Sequence, residues 1–343
     1  MFQQKKGKII NIIFMRACCC IGIVVFHYFC HSNGKFKFLH TTANSDFGFM
    51  FVTSFFCISG FVLYYKYPEI FSIKQFYYKR WKQILVPYYI CYIYCFFQES
   101  FRLKRIVFSR NLQKFLLNIF GLDGYFLYRI RTHYLIGEWF LGAIIIIYIL
   151  YPLILFLTNK INTFINITLL CIFYFIMYYQ SKFFIIKPTI NIITCIASFY
   201  FGMVLFRFKL YFLYNNKAII IFSLLLFLLC TIRININFNI IIFQLQGFCL
   251  FIFLFKIGYY VMNTKLHLIF DEINNISYGI YLFQHRLILD ILSIYNPSEW
   301  YAHIFLLLFT LILILICSKI HLIVVDYLFK SYIFKKLDKL FIS

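Results

Sequence analysis

Long apolar runs recur along the whole chain, and short segments rich in Lys and Arg separate them. Each run has about 17 to 25 residues, the length at which a helix crosses a hydrocarbon core about 30 Å thick. Because lipid offers the backbone no hydrogen-bond partners, these runs are expected to be helices. The sequence therefore predicts an all-α integral membrane protein with about ten transmembrane helices, centred near Cys20, Phe56, Ile90, Ile147, Cys171, Ile196, Leu225, Leu250, Leu282 and Leu311.

The composition agrees with lipid as the main solvent, since 63% of the residues are hydrophobic and only 13% are charged. In a soluble domain, about half of the residues are apolar and about a quarter are charged. No linker rich in Pro, Gly or Ser interrupts the apolar runs. We therefore expect residues 1–343 to form a single polytopic membrane domain surrounded by membrane lipid, with a helical core at about residues 9–328.

The chain is strongly basic, with 33 Lys and Arg against 11 Asp and Glu and a net charge of +22. Most of these cations lie between apolar runs, where they set orientation and meet anionic headgroups, so no nucleic-acid partner is expected. With about ten spans, the basic clusters at residues 5–8, 66–82, 207–217 and 330–339 fall on one side. The positive-inside rule makes that side, and both termini with it, cytoplasmic.

One basic segment, residues 99–137, falls on the opposite side in this topology. Long loops can cross a membrane despite their charge, so this segment does not overturn the prediction. Residues 112–120 within it are amphipathic, and we expect them to lie flat at the membrane interface.

Most of the twelve cysteines lie inside the apolar runs, where we interpret them as small hydrophobic residues. The consecutive cysteines at positions 18–20 point three ways around a helix, and no Cys-x-x-Cys pair meets another. The sequence therefore predicts no metal site and no bound cofactor.

The first apolar run carries two ionisable side chains, Arg16 and His27. They are 11 positions apart, which is about 16 Å along a helix and nearly a return to the same face. Intramembrane charges are costly and often functional, so Arg16 could hold an anionic donor while His27 acts on a hydroxyl. Alternatively, Arg16 extends its charge to the interface and His27 bonds a neighbouring helix. These two residues alone leave both interpretations open.

The surrounding sequence favours the functional interpretation. Residues 16–27, Arg-Ala-Cys-Cys-Cys-Ile-Gly-Ile-Val-Val-Phe-His, resemble the opening signature of acyltransferase family 3, which is Arg, ten residues, then His. Residues 55–61, Phe-Phe-Cys-Ile-Ser-Gly-Phe, are similar to the family's Phe-Phe-x-x-Ser-Gly-Phe in the second helix. Ser59 and Gly60 form a small step there, which suits either a ligand or simple helix packing.

Three further segments follow in the family's order. Residues 76–80, Phe-Tyr-Tyr-Lys-Arg, with Ile84 and Pro87, are similar to Phe-x-x-x-Arg and the Ile and Pro that follow it. Residues 138–141, Glu-Trp-Phe-Leu, with Tyr148 and Pro152, resemble the Trp-Phe-Leu helix that ends Tyr-x-x-x-Pro. Residues 277–285, Ser-Tyr-Gly-Ile-Tyr-Leu-Phe-Gln-His, are close to Ser-Tyr-x-x-Tyr-Leu-x-His. The resemblance spans roughly residues 10–325.

The chain departs from the family at one position. Many members carry a Glu five residues after the Trp, where this chain has Ile144, and here Glu138 directly precedes Trp139. Glu138 either replaces that carboxylate or is a solvated charge at headgroup level. The family's usual partner domains are absent, so we expect a stand-alone membrane form.

The resemblance implies an O-acetyltransferase of the bacterial inner membrane. Its donor substrate would be cytoplasmic acyl-CoA, most commonly acetyl-CoA, and its acceptor a hydroxyl of a cell-surface polysaccharide or its lipid-linked precursor, as in lipopolysaccharide or capsule modification. His27 and Arg16 would be catalytic, and Arg80, Ser59 and Gly60 would bind the donor, although Arg80 could also be a simple interfacial anchor. Residues near the acceptor or supporting the site would be Glu138, Trp139, Tyr278, Tyr281 and His285.

Two other functions fit many aromatic-rich helices with intramembrane Arg and His. A lipid-linked glycan flippase or other transporter is expected to show paired helices broken by Gly or Pro, but the chain has only 13 Gly and 5 Pro, without such pairing. A polysaccharide polymerase would suit the basic segment 99–137 but not the ordered motifs.

Overall fold

The fold is helical apart from one short strand pair. The computed structural model describes residues 4–5, 8–32, 47–69, 72–105, 112–130, 136, 139–162, 164–168, 171–172, 188–208, 221, 224–225 and 239–342. Two-residue strands β1 (Gln4–Lys5) and β2 (Lys8–Ile9) pair antiparallel, with Gln4 opposite Ile9. The described helices are α1 (Ile10–His31), α2 (Phe47–Lys66), α3 (Ile73–Arg102), α4 (Leu112–Ile119), α5 (Trp139–Lys160), α6 (Ile192–Arg207), α7 (Asn239–Val261), α8 (His267–Ile294), α9 (Trp300–Lys330) and α10 (Tyr332–Ile342), with 3-10 turns at Tyr125–Tyr128 and Pro188–Ile190.

Five of these helices contain stretches long and apolar enough to cross a membrane: Ile10–His31, Gly48–Lys66, Trp139–Lys160, Gln244–Val261 and Trp300–Lys330. Helix α6 is apolar but shorter, while α3 and α8 carry charges towards their ends. All eight helices coincide with predicted spans. The remaining two predicted spans, near Cys171 and Leu225, lie largely outside the described residues. The chain is thus an all-helical integral membrane protein.

Helices α2 and α6 cross in direct backbone contact because each has a glycine at the crossing. A Cβ atom on Gly60 would lie 1.8 Å from the carbonyl oxygen of Phe199, and one on Gly202 would lie 1.9 Å from that of Cys57. Backbone atoms cannot move aside as a flexible side chain can, so only glycine fits at either position. Gly60 is therefore a packing residue, one of the two interpretations that the sequence allowed.

Helices α1, α8 and α9 run side by side, so the start of α1 and the end of α9 lie at one end of the bundle. Near the start of α1, the Phe14 ring contacts Phe270 at 4.7 Å between centroids. At the other end of α1, the Tyr28 hydroxyl lies 3.1 Å from Nδ1 of His303, close to the start of α9. We call the end with the first turn of α1 the terminal end, and the end with His31 the opposite end.

The amphipathic helix α10 is attached to the first turns of α3 at the terminal end. Asp338 accepts hydrogen bonds from Lys82 Nζ at 2.7 Å and from the Tyr78 hydroxyl at 2.7 Å. The Lys82 hydrogen bond is the main reason why the pKa of Asp338 lies below its usual value. Phe341 stacks on Tyr78 at 4.7 Å. Helical structure thus continues after α9 to Ile342.

An ion-pair network connects α3 with α8 at the opposite end. Glu99 accepts from Arg102 and Arg286, each at 2.5 Å, and Arg286 also donates to Asp290 at 3.1 Å. Glu99 therefore belongs to helix α3, which continues to Arg102, and the predicted loop 99–137 begins later than expected. Leu112–Ile119 is helical with one apolar face, as the sequence predicted.

Candidate active site

A cavity of about 990 Å³ lies among helices α1, α2, α3, α5 and α8. It brings together seven residues that the sequence singled out, namely Arg16, His27, Ser59, Arg80, Trp139, Tyr278 and Tyr281. None of the described residues lining it is acidic. Because Arg16 and His27 both line it, the cavity extends along about three turns of α1, or about 16 Å.

Arg16 and Arg80 both line the cavity and give one part of it a positive charge. Arg80, from α3, lies over the rings of Tyr67, Phe76 and Tyr148, with centroids 5.5, 5.8 and 5.7 Å from its guanidinium carbon. Its Nη2 donates weakly to the Tyr67 hydroxyl at 3.4 Å, and its buried Nε has no partner among the described residues. A guanidinium held by rings instead of carboxylates keeps its charge available to an anionic ligand.

Three histidines meet near the opposite end of the bundle. The ring centroid of His27 lies 5.4 Å from that of His285, on α8, and 6.4 Å from that of His31, one turn further along α1. The rings of His31 and His285 are 4.8 Å apart and perpendicular. Of the three, only His27 lines the cavity. His285 therefore contacts His27 but does not line the cavity beside Tyr278 and Tyr281.

Tyr278 and Tyr281 hold the walls of the cavity together. The Tyr278 hydroxyl donates to the carbonyl of Ile84 on α3 at 2.9 Å, and the Tyr281 hydroxyl accepts from the backbone N–H of Leu141 on α5 at 3.1 Å. That N–H belongs to the first turn of α5, where helices leave N–H groups without intrahelical partners. The two rings also stack on each other, with centroids 6.1 Å apart.

The start of α5 supplies an aromatic and apolar wall. Trp139 and Phe140 both line the cavity and contact Phe56, at 6.4 and 4.8 Å between centroids. Ile144, at the position where the resemblance leads us to expect a Glu, also faces the cavity and is buried. Glu138 lies outside the described residues.

Sequence reasoning missed two residues of the site. Gln284 is 1% exposed, lines the cavity and has a side-chain oxygen without a partner among the described residues. The pattern Leu-x-His places a histidine two positions after Leu282, and this chain has Gln284 there, so that spacing is the sequence signal for Gln284. His31 had no motif support, and only its position one turn after His27 pointed to the cluster.

A family model described as an acyltransferase domain matches residues 9–319, nearly the whole chain. The chain belongs to acyltransferase family 3. Membership establishes a membrane acyltransferase and confirms the family resemblance drawn from the ordered motifs. No curated protein and no solved structure matches the chain. The seven candidate site residues that line one cavity identify it as the candidate active site of this acyltransferase.

Proposed function

We propose that this acyltransferase moves an acyl group, most commonly acetyl, from cytoplasmic acyl-CoA to a hydroxyl of a cell-surface polysaccharide or its lipid-linked precursor. The observation that carries this proposal is the single cavity that joins Arg16 and Arg80 to His27. In the proposed topology the helices cross the bacterial inner membrane about ten times, and the terminal end of the bundle is cytoplasmic.

The donor would enter from the terminal end. Arg16 is on the second turn of α1 and Arg80 on the third turn of α3, and both helices begin at that end. Acyl-CoA carries phosphates, and guanidinium groups bind phosphate through paired, charge-assisted hydrogen bonds. Ser59, which also lines this cavity, can donate a further hydrogen bond to the donor.

His27 would act as the general base. Its imidazole removes the proton of the acceptor hydroxyl, the oxygen attacks the thioester carbonyl carbon, and the carbon–sulfur bond breaks as the ester forms. The imidazolium then returns the proton to the CoA thiolate. A well-placed base contributes about 10²- to 10⁴-fold to such a reaction. The Gln284 side chain, buried with an acceptor oxygen available, would bind a donor group of the acceptor sugar.

The test compares the surface glycan of cells expressing the wild-type chain with that of cells expressing His27→Ala, by mass spectrometry and NMR. We expect a mass increase of one acyl group per modified sugar in the wild type alone, at equal amounts of folded protein in the membrane. His267→Ala, a histidine outside the cavity, is the matched control and should acylate normally. Acylation by His27→Ala at the wild-type level would contradict the proposed base.

A further inference from the structure

The cluster formed by His27, His31 and His285 has the composition of a metal site. His27 and His31 are separated by one turn of α1, so their side chains leave the same face of that helix. His285 reaches them from α8. One ring nitrogen from each histidine lies within 4.8 Å of the corresponding nitrogens of the other two.

We propose that His27, His31 and His285 together bind one divalent transition-metal ion, with Zn²⁺ as the representative ion. This site goes beyond the acyl transfer proposed above, which needs no metal. The ligands determine which class of metal ion binds, because the three described members of the cluster offer imidazole nitrogens. Imidazole suits Zn²⁺, Ni²⁺ and Cu²⁺, whereas Mg²⁺ and Ca²⁺ take oxygen ligands.

A zinc ion would require the three histidine nitrogens to move only slightly closer together. Zinc binds histidine nitrogens at about 2.0–2.1 Å, so tetrahedral ligands are about 3.4 Å from one another. Nitrogens that lie within 4.8 Å of one another would have to approach by about 1.4 Å at most to reach this spacing. Three protein ligands leave a fourth position for water or substrate. Because His27 lines the cavity, an ion bound here would lie at the edge of that cavity.

The nearby charges do not oppose a bound cation. Arg286 follows His285 directly and would repel a dication if its charge were uncompensated. Its guanidinium is instead paired with Glu99 at 2.5 Å and with Asp290 at 3.1 Å. The ion-pair network thus neutralises the closest cation on α8.

The test is direct binding by the purified full chain in detergent, with an affinity tag that contains no histidine. Co²⁺ is the first probe, since its visible absorption reports nitrogen coordination, and Zn²⁺ is then measured by competition with a chromophoric chelator. We expect one ion per chain, and affinity at least about tenfold weaker in His31→Gln and His285→Gln, which keep a polar side chain of similar size. His267→Ala should bind as the wild type does.

Two results would overturn the site. One is an absence of Co²⁺ and Zn²⁺ binding by wild-type protein that elutes as a single folded species. The other is equal affinity in wild type and in both glutamine variants. Neither depends on acyl transfer, so this inference can fail while the proposed function stands.

A functional consequence follows, and this consequence rests on the proposed function. A bound ion takes one ring nitrogen of His27 as a ligand and makes the proposed base a weaker proton acceptor, so Zn²⁺ should inhibit acyl transfer. In membrane vesicles, half-inhibition should need at least about tenfold more Zn²⁺ for His31→Gln than for the wild type. Equal inhibition of both forms would place the inhibitory zinc elsewhere.

Discussion

The imidazole rings of His27 and His285 meet edge to face, with their centroids 5.4 Å apart. This contact joins the first helix to α8 at the edge of the cavity, and it makes His285 a positioning residue for the proposed base. Only His27 of the pair lines the cavity, so the two histidines should differ in how much activity they control.

Replacing His285 should lower the rate without abolishing it. We expect His285→Ala to reduce kcat about tenfold, against a loss of about 10² to 10⁴ for His27→Ala. KM for acyl-CoA should stay at the wild-type value, because His285 does not line the cavity, whereas a purely structural loss would change kcat and KM together. Initial rates of acyl transfer across a series of acyl-CoA concentrations provide the measurement, and a KM that changes as much as kcat would contradict the positioning role.

The guanidinium of Arg80 should strengthen the binding of acyl-CoA. Lysine cannot reproduce the planar guanidinium that lies over Tyr67, Phe76 and Tyr148, so Arg80→Lys should raise KM for acyl-CoA by about tenfold or more. Arg102→Lys is the matched control, because Arg102 is exposed at the other end of the same helix. If both variants change KM equally, Arg80 does not contact the donor.

Much of this arrangement could be predicted from the sequence. The apolar runs predicted eight of the described helices close to their observed centres. Lipid offers the backbone no hydrogen-bond partners, so a run of that length can only be a helix. The spacing of Arg16 and His27 on one helix face likewise predicted that both would face the same space. The ordered motifs also predicted many of the residues that line the cavity.

Contacts between distant helices could not be predicted. His31 joins His285 only because α1 and α8 pack side by side, and nothing in the local sequence of either helix encodes that distance. From the sequence, Gly60 suits a ligand-binding step as well as it suits helix packing. In the structure the carbonyl of Phe199 lies where a Cβ of Gly60 would be, which decides for packing. The charges of Glu99 and Arg102 led to the wrong prediction that a loop begins there. Both residues belong to the end of α3, where Arg286 pairs with Glu99.

The crossing of α2 and α6 should tolerate no side chain. We expect Gly202→Ala to destabilise the protein by about 1–3 kcal/mol or more, since its Cβ would lie 1.9 Å from a backbone oxygen. Gly22→Ala is the control, because the atoms nearest its Cβ all belong to the far end of the Phe51 ring, and a side chain can adjust. Thermal stability in detergent is the measurement, and equal melting temperatures for both variants would contradict the tight crossing.

The buried carboxyl of Asp123 should make stability depend on pH. Burial raises its pKa to about 7, although the Tyr88 hydroxyl donates to it at 3.2 Å. An unfolded chain ionises this group near its ordinary value of about 3.9. The folded state therefore holds the extra proton, and its stability should fall as the pH rises from about 4 to 7.

Asp123→Asn removes this titration while its amide oxygen can still accept from Tyr88. The variant should be at least as stable as the wild type at pH 8 and should lose less stability between pH 5 and pH 8. Asp326→Asn, at an exposed position on α9, should leave the wild-type pH dependence unchanged. Melting temperatures at the two pH values test this, and a variant that is less stable than wild type at pH 8 would contradict it.

The most direct test of the central claim uses inverted membrane vesicles, in which the cytoplasmic face is outside. Labelled acetyl-CoA added to them reaches only that face, and label in the glycan fraction is then counted. The account predicts labelled glycan with the wild-type chain, a loss of about 10²-fold or more with His27→Ala, and normal labelling with His267→Ala. Labelling by His27→Ala at the wild-type rate, or labelling only when the donor is inside the vesicles, would contradict transfer through the cavity that joins Arg16 and Arg80 to His27.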